Sequence, residues 1–369
     1  MRPPRLPKLP KSIEEAAEWY MHYVSPLALV AAFVIDTFFL LRRVDTLLTT
    51  FVLFFYLATA AAILVLISLI QTGRLRHAWL LTITPMLPVV SQYAFGGLFI
   101  AFLSLYSRSA AFSLSWIFVA IIATLLIGNE RFVRFYMRFS FQVTILYTVL
   151  FSFLIFYVPL MVGGIGPHLF VLSGVASILI IAAFLYAMFY LVPTLVQDGR
   201  AAIARSIAVI FVIFNVLYFT NAIPPLPLAL KEAGVYHRVT REGNAYKLLA
   251  EPNEWYEPFL RYNTEYHREP GESVSVYTAI FAPAGLTTSV VHEWQYFNEA
   301  RDAWETRQRV PFSIVGGREE GYRGYTLKAS PEVGPWRVNV TTEYGQVIGR
   351  VAFTVVPVDE PPPVEEVIR

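Results

Sequence analysis

The chain divides by the pattern of its apolar positions. From residue 24 to 221 long apolar runs follow one another, whereas beyond residue 270 apolar and polar residues alternate over short stretches. Runs long enough to cross about 30 Å of hydrocarbon fall at 24–41, 46–70, 78–106, 111–128, 139–162, 168–192 and 203–221. They are too long for barrel strands and do not alternate, so lipid leaves helices as the reading, because a helix satisfies its own backbone. Trp19, Tyr23, Trp79, Tyr106, Tyr136 and Tyr218 lie near run ends, where amphipathic rings prefer the membrane interface. The first run is short and holds Asp36. The third would measure about 43 Å as a straight helix, and its Pro85, Pro88, Gly96 and Gly97 predict a kink or break.

Loop charge decides between span counts. With seven spans and a cytoplasmic N-terminus, the inner segments hold Arg2, Arg5, Lys8, Lys11, Arg74, Arg76, Arg131, Arg134, Arg138, Arg200 and Arg205. The outer segments hold only Arg42, Arg43 and Arg108. That is 11 against 3, a positive-inside bias. Splitting the third run, or keeping the first out of the membrane, regroups the same charges as 7 against 7. The expected location is therefore a cell (inner) membrane, with the C-terminal region outside the cytoplasm. The start, MRPPRLPKLPK, is basic and proline-rich, and no small-residue cleavage site follows, so the first run reads as an uncleaved span.

Ile223-Pro224-Pro225-Leu226-Pro227 marks the exit from the last run, since proline ends a helix. The expected organisation is a basic segment over 1–23, a multi-span bundle over 24–221 and a mixed, partly helical linker over 222–270. A β-sandwich over 271–357 and a disordered tail over 358–369 complete it. Strands are expected at Ser273–Phe281, Thr287–Phe297, Arg309–Val315, Tyr322–Lys328, Trp336–Glu343 and Gln346–Val356, with turns at Pro283-Ala284-Gly285, Gly316-Gly317 and Tyr344-Gly345. Short strands at this spacing predict an antiparallel sandwich of immunoglobulin-like type.

Composition agrees with this division. Hydrophobic residues make up 56%, charged residues 15% and mean hydropathy is +0.52, against about 25% charged in a soluble domain. Only 14 charged residues, none of them lysine, fall between Val24 and Asn221. The net charge of +2 and the lack of a basic run with interleaved aromatics argue against nucleic acid. With no cysteine there is no disulfide, thiolate nucleophile or cysteine metal site. None of the six histidines pairs with another at ligand spacing. His292-Glu293 matches half of a zincin motif, but residue 296 is Tyr and the segment reads as a strand. No Gly-x-Ser-x-Gly elbow, dinucleotide fingerprint or phosphate loop occurs, so no cofactor is expected.

The last 80 or so residues resemble the C-terminal domain of a bacterial membrane-protein family known as domain of unknown function 2914. The resemblance is carried by His292-Glu293-Trp294, by Val315-Gly316-Gly317-Arg318 leading to Gly321-Tyr322-Arg323-Gly324-Tyr325, and by Gly334-Pro335-Trp336-Arg337-Val338-Asn339-Val340. It ends on Gly345-Gln346-Val347-Ile348-Gly349-Arg350-Val351-Ala352-Phe353-Thr354-Val355. In the membrane half Gln92-Tyr93-Ala94-Phe95-Gly96-Gly97 and Gly128-Asn129-Glu130-Arg131-Phe132 are similar to family members. Pro335 departs from the family pattern, which more often has an acidic or polar residue there. The resemblance implies a fold and a location, and no activity.

Candidate site residues follow from strand alternation. His292, Trp294 and Tyr296 share one face of a strand, with Glu293 and Gln295 on the other. The resemblance puts Arg318 and Lys328 on neighbouring strands. Together the first three with Arg318 and Lys328 read as a polar–aromatic platform for an envelope glycan, peptide or protein. The competing reading makes Trp294 and Trp336 core anchors, with His292 and Arg318 satisfying carbonyls at the edge. Within the bundle the candidates are Asp36, Gln92 and Glu130. An intramembrane carboxylate is costly, yet Asp36 also suits a pair with Arg42 or Arg43, and Glu130 an interfacial pair with Arg131 or Arg134. The leading expectation is a non-enzymatic envelope protein, a lipid-embedded platform displaying a binding module. The alternative is a transporter or channel with a path near Asp36 and the third run, and a membrane-embedded transferase or hydrolase comes third.

Overall fold

The structure, a computed structural model, describes Glu15, Trp19 and residues 46–109, 112–131, 133–252, 263–318 and 320–369. The first expected run, with Asp36, lies outside the described residues. Two compact units emerge: a helical one drawn from described residues up to 107 with 117–158 and 168–220, and a β-rich one made of 108–116, 159–167 and 221–369.

The helices are α1 (Leu47–Gln71), α2 (Ala78–Ile83), α3 (Leu87–Ser109), α4 (Phe112–Arg131), α5 (Phe139–Val162), α6 (Pro167–Leu191) and α7 (Pro193–Phe219). Among the described residues five segments are long and apolar enough to cross a membrane: α1, α2–α3 taken together, α5, α6 and α7. The fourth expected run contributes only the shorter apolar stretch Trp116–Asn129 of α4. Phe51, Phe54, Leu179, Val212 and Val216 are exposed along these helices, an arrangement that water penalises and hydrocarbon does not. Thr46 caps α1, its Oγ accepting the Thr49 N–H at 3.2 Å.

Two details differ from the sequence expectation. The third run breaks at a 3-10 turn over Thr84–Met86, around Pro85, while Gly96 and Gly97 sit inside the continuous α3. Proline lacks the N–H that would continue the helical ladder; the two glycines serve contact instead, as shown below. The last helix starts at Pro193, ten residues before the apolar run at 203. Proline is favoured in a first helical turn, so the polar Gln197, Asp198 and Arg200 ride on the same helix.

Among the described residues the β-rich unit holds eleven strands in three sheets. β1 (Ala229–Tyr236), β5 (Val274–Phe281) and β8 (Tyr322–Lys328) form one sheet in the order β1-β5-β8. β4 (Glu265–Arg268), β10 (Val347–Pro357), β9 (Gly334–Thr342), β6 (Thr287–Asn298) and β7 (Ala303–Val315) form the second in that order. β11 (Glu365–Ile368), β3 (Ala245–Ala250) and β2 (Arg238–Glu242) form the third. All six expected strands are present. The linker, expected to be mixed and partly helical, supplies four further strands, and the tail expected to be disordered contains β11, which pairs with β3. One pair also departs from the antiparallel expectation, because β4 runs parallel to β10.

Every residue of β5 is buried. Its Val274 and Val276 share a core cluster with Trp294, Trp336, Val338, Val351 and Phe353 of the five-stranded sheet. A second cluster adds Leu228, Ile280, Val290, Ile314, Val340 and Ile348 to Ile165 from the α5–α6 connection. Burial of this much apolar surface is the main stabilising term, at roughly 25 cal/mol per Å². The predicted Gly316-Gly317 turn has a steric cause: a Cβ on Gly316 would stand 1.8 Å from the Pro283 carbonyl oxygen.

Candidate functional site

β6 lies inside the five-stranded sheet, flanked by β7 and β9. Its inward residues are committed to the core. His292 and Trp294 have no exposure at all. His292 Nε2 lies 3.0 Å from the Thr278 hydroxyl and Nδ1 lies 2.8 Å from the Thr326 hydroxyl. The Trp294 indole N–H donates to that same Thr326 oxygen at 3.0 Å. The two hydroxyls satisfy a neutral imidazole, with one ring nitrogen donating and the other accepting. Burial pushes the His292 pKa down to about 3, so the ring stays neutral in ordinary buffers.

The remaining platform candidates separate. Tyr296 is half-buried against Trp336, and its hydroxyl donates to the Val333 carbonyl at 3.1 Å. Arg318 is exposed in the segment between β7 and β8, its guanidinium 5.3 Å over the Tyr322 ring. Lys328 ends β8, in a different sheet from β6. The structure does not gather these five residues on one exposed face. Arg318 is also not on a strand, because the close Gly316 turn delays the next one until Tyr322.

The outward face of the same strands is polar and ordered. Register sets Glu293 opposite both Asn339 and Arg309, and Gln295 opposite Arg337 and Thr306. Arg350 stands opposite Asn339. A hydrogen-bonded chain then crosses four strands. Arg350 Nε donates to the Asn339 side-chain oxygen at 2.7 Å, the Asn339 amide donates to Gln295 Oε1 at 3.1 Å, and Arg337 Nε donates to that same oxygen at 2.7 Å. Gln295 in turn donates to the Thr306 hydroxyl at 3.1 Å, which donates to Glu293 at 3.0 Å. The Arg337 guanidinium lies 4.2 Å over the Trp304 ring. Burial, and for Arg337 also the neighbouring Arg350, lowers the pKa of both arginines, although both remain charged.

This face lies within a stretch of the chain that matches a family model. Residues 287–355 match the family described as a protein of unknown function, DUF2914. No curated protein matches the chain. A solved structure, the Pseudomonas fluorescens alkylpurine DNA glycosylase AlkC bound to DNA containing an abasic site analog, aligns over 82% of this chain and 97% of its own. At 11% identity and a TM-score of 0.21 that likeness carries no argument.

A second polar group lies beside the DUF2914 stretch and was invisible to spacing rules. His237, between β1 and β2, places Nε2 2.9 Å from Glu251 and Nδ1 2.7 Å from Glu272. Glu251 also accepts from the His267 backbone N–H at 2.8 Å and meets His267 Nδ1 at 2.6 Å. A histidine flanked by two carboxylates fits with hydrogen on both nitrogens. Burial alone would lower the His237 pKa, but the hydrogen bonds to Glu251 and Glu272 outweigh it and raise the value. Burial alone would raise Glu251, and its histidine donors instead bring it below the usual carboxylate value. The His237 ring stacks on Tyr266 at 4.5 Å. Among the described residues no group of three or more His, Asp or Glu has the geometry to hold a metal ion.

In the helical unit the two motif strings meet. The Asn129 amide of α4 donates to the Gln92 carbonyl of α3 at 3.0 Å, and the Tyr136 hydroxyl donates to Asn129. A Cβ on Gly96 would come 3.1 Å from the Asn129 amide nitrogen, and one on Gly97 would come 2.8 Å from the Tyr56 ring. Small residues and interhelical hydrogen bonds of this kind join helices in lipid. Gln92 is thus placed at a helix contact. Glu130 lies on α4.

The signal for the outward face was present in the sequence. Trp336-Arg337-Val338-Asn339 and Arg350-Val351 alternate with period two, so Arg337, Asn339 and Arg350 point away from the core once Trp336 and Val351 point into it. The His237 group carries no such signal, because its members come from segments joined only by the tertiary fold.

Proposed function

We propose that this chain is a membrane-anchored binding protein of the cell envelope. Seven helices anchor it with the N-terminus in the cytoplasm, and an immunoglobulin-like β-sandwich outside presents the polar face of β10-β9-β6-β7 as its working surface. The observation that carries the functional part is the contrast between the two sides of these strands. The inner side is wholly used for packing by His292, Trp294 and Trp336, while the outer side keeps two ordered arginines whose hydrogen-bond partners are neutral amides.

The topology draws on the loop charges and on how the β-rich unit is composed. That unit gathers 108–116, 159–167 and 221–369, and two helices separate each segment from the next. Segments separated by two crossings share one side of a membrane, which supports counting α4 as a crossing.

The absence of cysteine makes the test direct. Thr354→Cys, exposed on the outer face of β10, should react with a membrane-impermeant maleimide in intact cells. Arg74→Cys, between α1 and α2, should react only after permeabilisation. The reverse pattern would sink the topology.

A further inference from the structure

We infer that the Arg337–Arg350 face is a carboxylate-binding site that takes an acidic polymer by successive carboxylate groups. This rests on the outer face being the working surface and is independent of which side of the membrane it occupies.

Four observations lead there. First, both guanidinium groups are tethered through Nε to amide oxygens, at 2.7 Å each, and neither forms an ion pair among the described residues. Their terminal NH₂ groups stay available, and a guanidinium end is a planar fork that matches a carboxylate with two parallel hydrogen bonds. Second, the forks are held in orientation. Arg337 is fixed by Gln295 on one side and by the Trp304 ring on the other, so little rotamer freedom is left to lose on binding.

Third, charge selects the ligand. Arg309, Arg337 and Arg350 share the outer face of β10-β9-β6-β7 with Glu293, and Glu265 follows on β4 at the edge. The surplus of guanidinium over carboxylate favours an anion, and the planar two-oxygen edge of a carboxylate matches each fork. Fourth, spacing selects a polymer. Arg350 faces Asn339, while Arg337 lies two residues along β9 from that position. Diagonal neighbours of this kind lie roughly 7–8 Å apart, with their Cβ atoms somewhat closer, and with each Nε turned to its own amide the two forks suit neighbouring groups on one chain. Linked groups then gain from effective concentration.

The test uses the full-length protein in detergent micelles, a fluorescent oligogalacturonate as the probe and anisotropy as the readout. The expected result is saturable binding that weakens with salt. Arg337→Gln and Arg350→Gln should each weaken it about tenfold, and the double variant should abolish it. Arg318→Gln, an exposed arginine elsewhere, should leave it unchanged. Arg337→Lys and Arg350→Lys keep the charge without the fork and should bind with intermediate strength, which also serves if a glutamine variant fails to fold.

Undiminished binding by a folded double variant would overturn the site, as would native protein that ignores the probe. Polyphosphate of matched length binding more tightly than the uronate would overturn the carboxylate assignment. Failure of the cysteine labelling, with binding intact in micelles, would strike the topology and leave this inference standing.

Discussion

Two histidines in the β-rich unit, His292 buried and His237 half-buried, solve the same problem in opposite ways. His292 sits among hydroxyls and an indole, between the five-stranded sheet and the β1-β5-β8 sheet, and burial forces it to remain neutral. His237 sits between Glu251 and Glu272, and its carboxylate partners draw a proton onto it despite burial. Buried polar groups must be paired, but pairing with neutral groups and pairing with charges have different consequences. The first packs a core without responding to its surroundings near neutrality. The second ties four chain segments together through charge.

The largest effect should come from breaking the charged group. Glu251→Ala removes the acceptor shared by His237, His267 and the His267 backbone N–H. Removing one partner of a buried ion pair costs about 3–5 kcal/mol; His237 keeps Glu272, so the loss should fall at the low end of that range, read in a denaturant titration of the full chain followed by tryptophan fluorescence. His292→Leu keeps the volume and should cost less, about 1–3 kcal/mol, because it strands neutral hydroxyls only. A larger loss at His292 than at Glu251 would invert the comparison.

The third and smallest effect, on the alkaline side, needs no substitution. His237 has its folded pKa raised above the ordinary 6.5, so its contribution is complete below that value and fades as pH rises through the folded value. Glu251 is lowered from the ordinary 4.5; its contribution is complete above 4.5 and is lost as pH falls through the folded value. His292 works with the sign of a depressed base. Between 6.5 and about 3 the unfolded chain binds a proton that the folded chain refuses, so stability falls with falling pH. His292→Leu should therefore flatten the acid limb and leave the alkaline limb intact, in the same titration repeated across pH. A variant that alters only the alkaline limb would show the assignments exchanged.

What the sequence made legible follows from how local each signal is. Six strands of the β unit announce themselves by alternation and turn residues. β7 begins at Ala303 and not Arg309, because Glu305, Thr306, Arg307 and Gln308 lie on an edge strand with no apolar face to mark them. β1 hides behind the irregularity between Leu230 and Glu232, which breaks its period. β11 follows a proline-rich stretch, and its strand character comes from its partner β3. In the bundle, Pro85 correctly signals a break, whereas Gly96 and Gly97 carry the same letter-level signal for a different purpose, close approach by Asn129 and Tyr56. The candidate face was readable as alternation. Which side of β6 would be free was not, since that depends on Thr278 and Thr326 reaching His292 from another sheet.

The pairing of β11 with β3 also has a bearing on folding time. Glu365 meets Ala250, 115 positions earlier, so the β2–β3 hairpin keeps an open edge while all the intervening chain is made and delivered. Contacts this distant form slowly, and an unpaired edge invites pairing with the wrong chain. Until residues 365–368 arrive, that hairpin is where a chaperone would be most useful.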